Sequence, residues 1–499
     1  MTPSLNDADG NRVSAWVSWL ERPLSTGRCV VGWVSATSIF IGLTALLGGP
    51  NQGDSYSSTI SAWAISHGDF SCSYPPASSY HFPLTAPLYP LLSGGIAALL
   101  RIGHSVGFPN QAALGPHCIT AFKSILAWSA ESQADQATLA IGYLSWLVLL
   151  GGVIALLRAC GRGRRGWEPT ILALVALTPP VFMALGVFFH PQDLVALGLV
   201  LWGVASARRG VWGWAGVLLG LAFSSQQFAI LALIPLAVVA PRTHRWKFLG
   251  SVIVAAAVVD VPLVLMTSGR AFSAAVIGTG WAHSTGGTML DEVGLSKSAA
   301  VLLSRALPVI FSVALAWWAK LRLGSRALEP VALIALVATS FCFRLVFEVN
   351  LWGYYFMATA VTLVLLDASL GRIRGVMVSW LALVTWAFNP LLFTASGRGH
   401  PFRVAAYDAL PIVMIGVALL LIVLDAFHHR IRWYLVVFVL LLVAARAHEG
   451  WRNVPSGPPT SVWYWQLVLV PIALVWAAGP LISLARKRSD FEVTRALAD

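Results

Sequence analysis

Residues 208–247 read RRGVWGWAGVLLGLAFSSQQFAILALIPLAVVAPRTHRWK, opening on Arg208-Arg209 and closing on Arg242, Arg245 and Lys247, with no charge anywhere in 210–241. Basic clusters of membrane proteins collect on the cytoplasmic side, so both ends of the stretch belong on that side. One tilted crossing would separate them, and two full crossings need about 40 residues. The stretch therefore reads as two half-length helices broken at Ser224-Ser225-Gln226-Gln227, a polar tip that stops below the outer surface. Non-helical backbone at that depth survives only inside protein or beside an aqueous cavity. Phe189-His190-Pro191-Gln192-Asp193 invites the same reading, giving two recessed tips on the outward side.

The rest of the chain agrees with a bilayer as solvent. Of 499 residues 57% are apolar and only 11% charged, with mean hydropathy +0.75, whereas soluble domains average about a quarter charged. The apolar runs are long and continuous rather than alternating, which excludes barrel strands and points to an all-α, polytopic fold. Basic clusters recur at Arg158/Arg162/Arg164/Arg165, Lys320/Arg322/Arg326, Arg372/Arg374, Arg430/Arg432 and Arg486/Lys487/Arg488. Placing them inside gives about fourteen membrane segments: 30–48, 137–157, 169–188, 192–207, 211–224, 227–240, 248–266, 300–319, 329–347, 353–369, 375–394, 409–427, 433–446 and 464–484. Several are half-length or re-entrant. Both termini are then cytoplasmic, with a tail over 1–28, a single integral domain over 29–485 and a second tail over 486–499. The first span reads as an anchor that is retained. The net charge of +12 comes mostly from inward loops and speaks to topology and anionic lipid, not to nucleic acid.

The longest outward loop runs over 49–136. Its proline- and tyrosine-rich part leads into an apolar segment at 86–102, which the parity of the later basic clusters makes an interfacial or dipping helix. Cys72 and Cys118 share this loop, where a disulfide is possible; the cysteine spacing resembles no metal site. Further outward loops carry Arg270, Trp281 and His283 over 267–299, Arg398 and His400 over 395–408, and His448 and Glu449 over 447–463. Ionisable chemistry is thus concentrated outside.

Asp54 follows the first span and a flexible Gly53, where a carboxylate can serve as general base or as a helix N-cap. His190 and Asp193 read either as a cavity pair or as helix-terminal residues favoured by the dipole. Arg344 and Glu348, at i and i+4, form an ion pair on one helical face, or leave Arg344 to bind an anionic head group. Asp260, deep in a span, needs a partner that the sequence does not name. No dinucleotide fingerprint, P-loop, HExxH or nucleophile elbow is present in a plausible context.

The order of Gly53-Asp54, the loop with its dipping helix, His190-Pro191-Gln192-Asp193, the 216–228 run GVLLGLAFSSQQF and Trp352-Gly353-Tyr354-Tyr355 resembles the GT-C superfamily of membrane glycosyltransferases. It is closest in pattern to the polyprenyl-phosphate-mannose-dependent α-mannosyltransferases of actinobacterial envelopes. The resemblance covers roughly 30–370, as weak motifs in the right order. It implies a hexosyltransferase of the cytoplasmic membrane whose outward site takes a sugar, mannose by resemblance, from a polyprenyl-phosphate donor to a glycolipid or polysaccharide acceptor. Asp54 is then the general base, and reaction inverts the anomeric carbon. Arg344, Arg270, His190 and His283 are candidates for the donor phosphate, and Asp193, Gln192, Gln226, Gln227, Tyr354, Tyr355, His81 and Trp281 for the cavity wall. No cofactor is implied beyond the lipid-linked donor as co-substrate. Asp54 has no acidic neighbour until Asp69, and Gln226-Gln227 stand where relatives often carry Lys, which leaves metal dependence open. A secondary transporter and a catalytically inactive partner protein are the alternative readings.

Overall fold

The computed structural model describes residues 18–46, 58, 61–74, 86–102, 132–186, 188–276, 290, 293–349, 353–371, 470 and 473–486. Among them every regular element is helical, and one isolated bridge joins Pro23 to Arg165. The α-helices are α1 (Thr26–Leu46), α2 (Leu88–Ile102), α3 (Ser132–Ala159), α4 (Trp167–Leu177), α5 (Pro179–Gly186), α6 (Pro191–Arg208), α7 (Trp212–Phe223), α8 (Ile230–Val239), α9 (Arg242–Met266), α10 (Arg270–Val276), α11 (Lys297–Leu323), α12 (Pro330–Phe347) and α13 (Met357–Ser369). A further apolar helix, α14, spans Ala473–Arg486.

Five helices among the described residues are long and apolar enough to cross a membrane: Thr26–Ala45, Ala140–Ala159, Arg242–Met266, Ser298–Leu328 and Pro330–Phe347. The protein is a helical, membrane-embedded one. The segments expected at 375–394, 409–427 and 433–446 lie outside the described residues. The segment read as one helix over 169–188 is instead two, α4 and α5, bent by 52°. Thr178 is forced into an extended conformation by the proline that follows it, and Pro179-Pro180 brings no N–H to continue the ladder.

At the centre stands α6, whose residues are almost all buried, as expected of a helix with apolar side chains all round. Its backbone approaches α3 closely: a Cβ on Gly152 would lie 2.3 Å from the Gly198 carbonyl oxygen, and one on Gly198 2.5 Å from that of Val148. The second glycine seam joins α7 to α9. A Cβ on Gly216 would meet the Phe248 carbonyl at 2.3 Å, and one on Gly220 that of Val252 at 2.5 Å. Small residues of this kind bring membrane helices into backbone contact. Residue numbers rise together along this seam, so α7 and α9 run parallel, and α8 between them must return. The helix break read at Ser224-Ser225-Gln226-Gln227 is thus present, between two short apolar helices.

The N-terminal segment is latched to the loop between α3 and α4. Leu24 N–H donates to Arg164 O at 2.8 Å and Gly166 N–H to Arg22 O at 3.2 Å. Glu21 receives Arg162, Arg165 and the Trp167 indole. The buried Glu168 accepts from the Trp33 indole and the Arg164 amide, both at 2.8 Å, and pairs with Arg158 at 3.3 Å. Partial burial opposes ionisation of Glu21, but the Trp167 and Arg165 hydrogen bonds and the charges of Arg162 and Arg165 outweigh it and hold the carboxyl below its ordinary 4.5.

Two outcomes follow from this packing. Gly216→Leu lowers the stability of the detergent-solubilised protein by about 1–3 kcal/mol through overpacking, whereas Gly250→Leu on the same seam, over which a Cβ meets open space, does not; thermal unfolding checks both. Because its folded value is depressed, Glu21 adds stability that is present above pH 4.5 and lost as pH falls through that folded value. The difference in midpoint between the wild type and Glu21→Gln is therefore largest near neutrality and shrinks in acid, as thermal midpoints recorded across the acid range will show.

Candidate functional site

The two polar breaks meet. Ser225 Oγ donates to the Gln192 carbonyl at 2.9 Å, tying the tip between α7 and α8 to the first turn of α6. The N-terminus of the apolar helix α2 docks on the same tip, with Leu88 N–H donating to Ser224 O at 2.7 Å. Ser224 Oγ in turn donates to Asp260 Oδ2 at 3.0 Å, which supplies the partner that Asp260 lacked in the sequence. A carbonyl at a helix end has no intrahelical donor, and at this depth another element must provide one.

The other break is shaped by Phe189. Its φ of +50° lies in the left-handed region, costly for an aromatic residue, and its ring is buried against the space above Gly142. The turn delivers His190 to the N-cap position of α6 with Pro191 at N1. His190 makes no side-chain capping bond. Instead Nδ1 lies 2.8 Å from the Gln192 amide nitrogen and 3.8 Å from Asp193 Oδ2. Its ring stacks on Tyr354 with centroids 4.1 Å apart, and Tyr354 meets Tyr355 edge-on at 4.7 Å.

From Tyr355 the cluster passes to charge. The Arg344 guanidinium sits over the Tyr355 ring at 4.4 Å and the Phe228 ring at 5.4 Å. Arg344 Nε donates to Glu348 Oε2 at 3.2 Å, and Arg305 Nη1 lies 3.9 Å from the same oxygen. Glu348 is buried at 1% exposure. Arg344 is also close enough to Asp193 to feel its charge, and the Gln226 side chain lies beside that carboxylate. Two buried acceptors, Gln192 Oε1 and Asp193 Oδ1, have no hydrogen-bond partner within the described protein. Buried acceptors are rarely left so.

This cluster occupies one end of the bundle. The helix α6 runs from Asp193 to Arg208, α9 from Arg242 past Asp260, α11 past Arg305 to Lys320, and α12 from the Arg326 side to Arg344. The basic groups therefore gather at the opposite end. The 12 residues of α7 rise only about 18 Å, short of the roughly 30 Å of hydrocarbon that a full crossing spans.

The structure thus unites His190, Gln192, Asp193, Gln226, Arg344, Tyr354 and Tyr355. Gln227 starts the short 3₁₀ turn next to them, its N–H donating to Gln226 Oε1 at 3.3 Å. Arg270 stands apart: its Nε donates to Tyr74 O at 2.8 Å and its Nη2 to Ser71 O at 2.7 Å, fastening residues 71–74 to the start of α10. Asp54, His81, Trp281, His283 and Cys118 lie outside the described residues; Cys72 is disulfide-bonded, and Cys29, Cys160 and Cys342 are free. Arg305 was not anticipated, and Ser225 was read only as part of the polar tip. The signal for Arg305 was available, an arginine well inside the apolar run 300–319. Among the described residues no three His, Cys, Asp or Glu side chains are placed to share a metal ion.

No protein-family model matches this chain, and no curated protein matches it. Glu348→Ala leaves two arginines sharing a mostly buried site without their carboxylate, and lowers stability by about 3 kcal/mol in chemical unfolding of the solubilised protein, while the Arg344→Ala/Glu348→Ala double variant recovers part of that loss.

Proposed function

We propose that the protein is an integral membrane glycosyltransferase of the GT-C kind, moving a sugar from a polyprenyl-phosphate donor to a lipid or glycan acceptor on the outer face of the cytoplasmic membrane. The observation that carries this reading is the recessed junction of two broken helices, where unmatched buried acceptors stand beside an arginine held over an aromatic ring. Unmatched oxygens suit the hydroxyls of a sugar, and a tyrosine pair beside them suits its apolar faces. The bundle end remote from the basic clusters is the outward one by the positive-inside rule.

In this reading the acceptor hydroxyl attacks the anomeric carbon, its proton passes to Asp54, and the polyprenyl phosphate leaves from the opposite face with inversion. Arg344 stabilises the leaving phosphate, to which an arginine fork is matched. The capture of the Ser71 and Tyr74 carbonyls by Arg270 makes it a positioning residue for the loop that carries Asp54. His190, oriented by Gln192 and Tyr354, lies beside the donor sugar. Mannose follows from the resemblance of the motifs alone.

Broken helices with polar tips also build transporter sites, which favours a secondary transporter as the second reading. One experiment separates them: transfer of radiolabelled mannose from polyprenyl-phosphate-mannose into lipid or polymeric glycan, in membranes holding matched folded levels of wild type, Asp54→Asn or Arg344→Gln. Removal of a general base costs about 10²–10⁴-fold in rate, so product falls by that factor in Asp54→Asn and also falls in Arg344→Gln. Equal product from Asp54→Asn and wild type removes Asp54 from catalysis. No product from any of them, with solute flux that survives neutralisation of Asp54, establishes the transporter reading instead.

A further inference from the structure

Away from the polar cluster, α7 and α9 leave a furrow of about 570 Å³ along their seam, walled by Val217 and Leu221 on one side and by Gly250, Val254 and Val258 on the other. The apolar wall is open to the surroundings: Val254 and Val258 keep 62% and 69% of their surface exposed. From Trp246 to Val259 the lining follows α9 for about 20 Å. The hydrocarbon half of one leaflet is about 15 Å deep, so an acyl chain entering from the Arg242 end is contained.

The chemistry changes at that end. Arg242, Arg245 and Lys320 lie within reach of one another's charge there, Lys247 follows one turn along α9, and among the described residues none of the four is paired with a carboxylate. Two of the four are occupied: Arg245 donates to Val238 O at 3.1 Å and Ala240 O at 3.3 Å, and Lys320 to Val238 O at 2.5 Å, closing the C-terminus of α8. Arg242 and Lys247 are exposed, and Lys247 itself lines the furrow mouth. Trp246 stands next to it with 80% of its surface exposed, the position of an interfacial anchor.

We propose that this furrow is a binding site for one anionic phospholipid, its acyl chain lying between α7 and α9 and its phosphate held by Lys247 and Arg242. An uncharged mouth would accept any lipid; unpaired cations at the mouth select an anionic head group, as basic residues beside membrane helices do. The site lies on the outer surface of the bundle and is independent of the sugar-transfer reading.

The test is native mass spectrometry of the delipidated, detergent-solubilised full chain titrated with phosphatidylglycerol or with phosphatidylcholine of the same acyl chains. One phosphatidylglycerol is retained about tenfold more tightly than phosphatidylcholine. Lys247→Gln/Arg242→Gln abolishes that preference, and Gly250→Leu, which fills the furrow where a Cβ meets open space, weakens retention of the lipid while the charges stay. Thermal midpoints confirm that each variant is folded. Equal retention of the two lipids by the wild type overturns the proposal, as does unchanged retention in both variants. Displacement of phosphatidylglycerol by an equimolar polyprenyl phosphate overturns the assignment to a phospholipid.

Discussion

Backbone groups that leave a helix inside a membrane must find partners in protein, and the arrangement around Ser224 and Ser225 follows from that requirement. The hairpin of α7 and α8 turns where Ser224 and Ser225 are fully buried, so its carbonyls and hydroxyls cannot rely on bulk water. Leu88 N–H takes the Ser224 carbonyl, Ser225 Oγ takes the Gln192 carbonyl, and Ser224 Oγ takes Asp260. Three elements distant in sequence are thereby drawn to one point: the apolar helix α2, the start of α6 and the C-terminal third of α9. The polar cluster exists because these demands are met together, and its location follows from how far α7 reaches before it breaks.

Charge is divided along the bundle in two different ways. At the basic end, most of the cations with partners are neutralised locally or cap helices, Arg242 and Lys247 excepted: Glu21 and Glu168 gather the arginines of the loop between α3 and α4, while Arg245 and Lys320 close α8. At the polar end, one buried carboxylate, Glu348, is shared between Arg344 and Arg305. Sharing leaves Arg344 anchored at one edge, with its planar face on aromatic rings. A guanidinium fixed in this way loses little freedom on meeting an anion.

Glycine seams make the compact centre possible. Close approach at Gly152 with Gly198, and at Gly216 and Gly220 with α9, brings helices into backbone contact and frees their apolar side chains to face outward. The furrow beside α9 is a consequence. Where Gly250 offers no side chain, the seam opens onto the surroundings instead of being filled by protein.

Charge placement alone made the break between α7 and α8 legible in 208–247, because two basic ends and an uncharged run too short for two crossings call for a turn between them. The same logic located the breaks at 189–193 and 224–227 and assigned helix to α6, α9, α11 and α12. Local chemistry also made the Arg344–Glu348 pair legible, since i and i+4 share a face. What the sequence could not supply were the partners across the fold. Nothing local says that Ser224 reaches Asp260, that Ser225 reaches Gln192, that Arg305 joins Glu348, or that Arg270 holds loop carbonyls near residue 74. Nor did it reveal the bend between α4 and α5, although Pro179-Pro180 carried the signal. Hydropathy and charge are properties of segments and determine which parts of the chain enter the bilayer and from which side. Hydrogen bonds between buried groups depend on angles and distances of a few ångströms between separate helices, and only the packing of the glycine seams decides those.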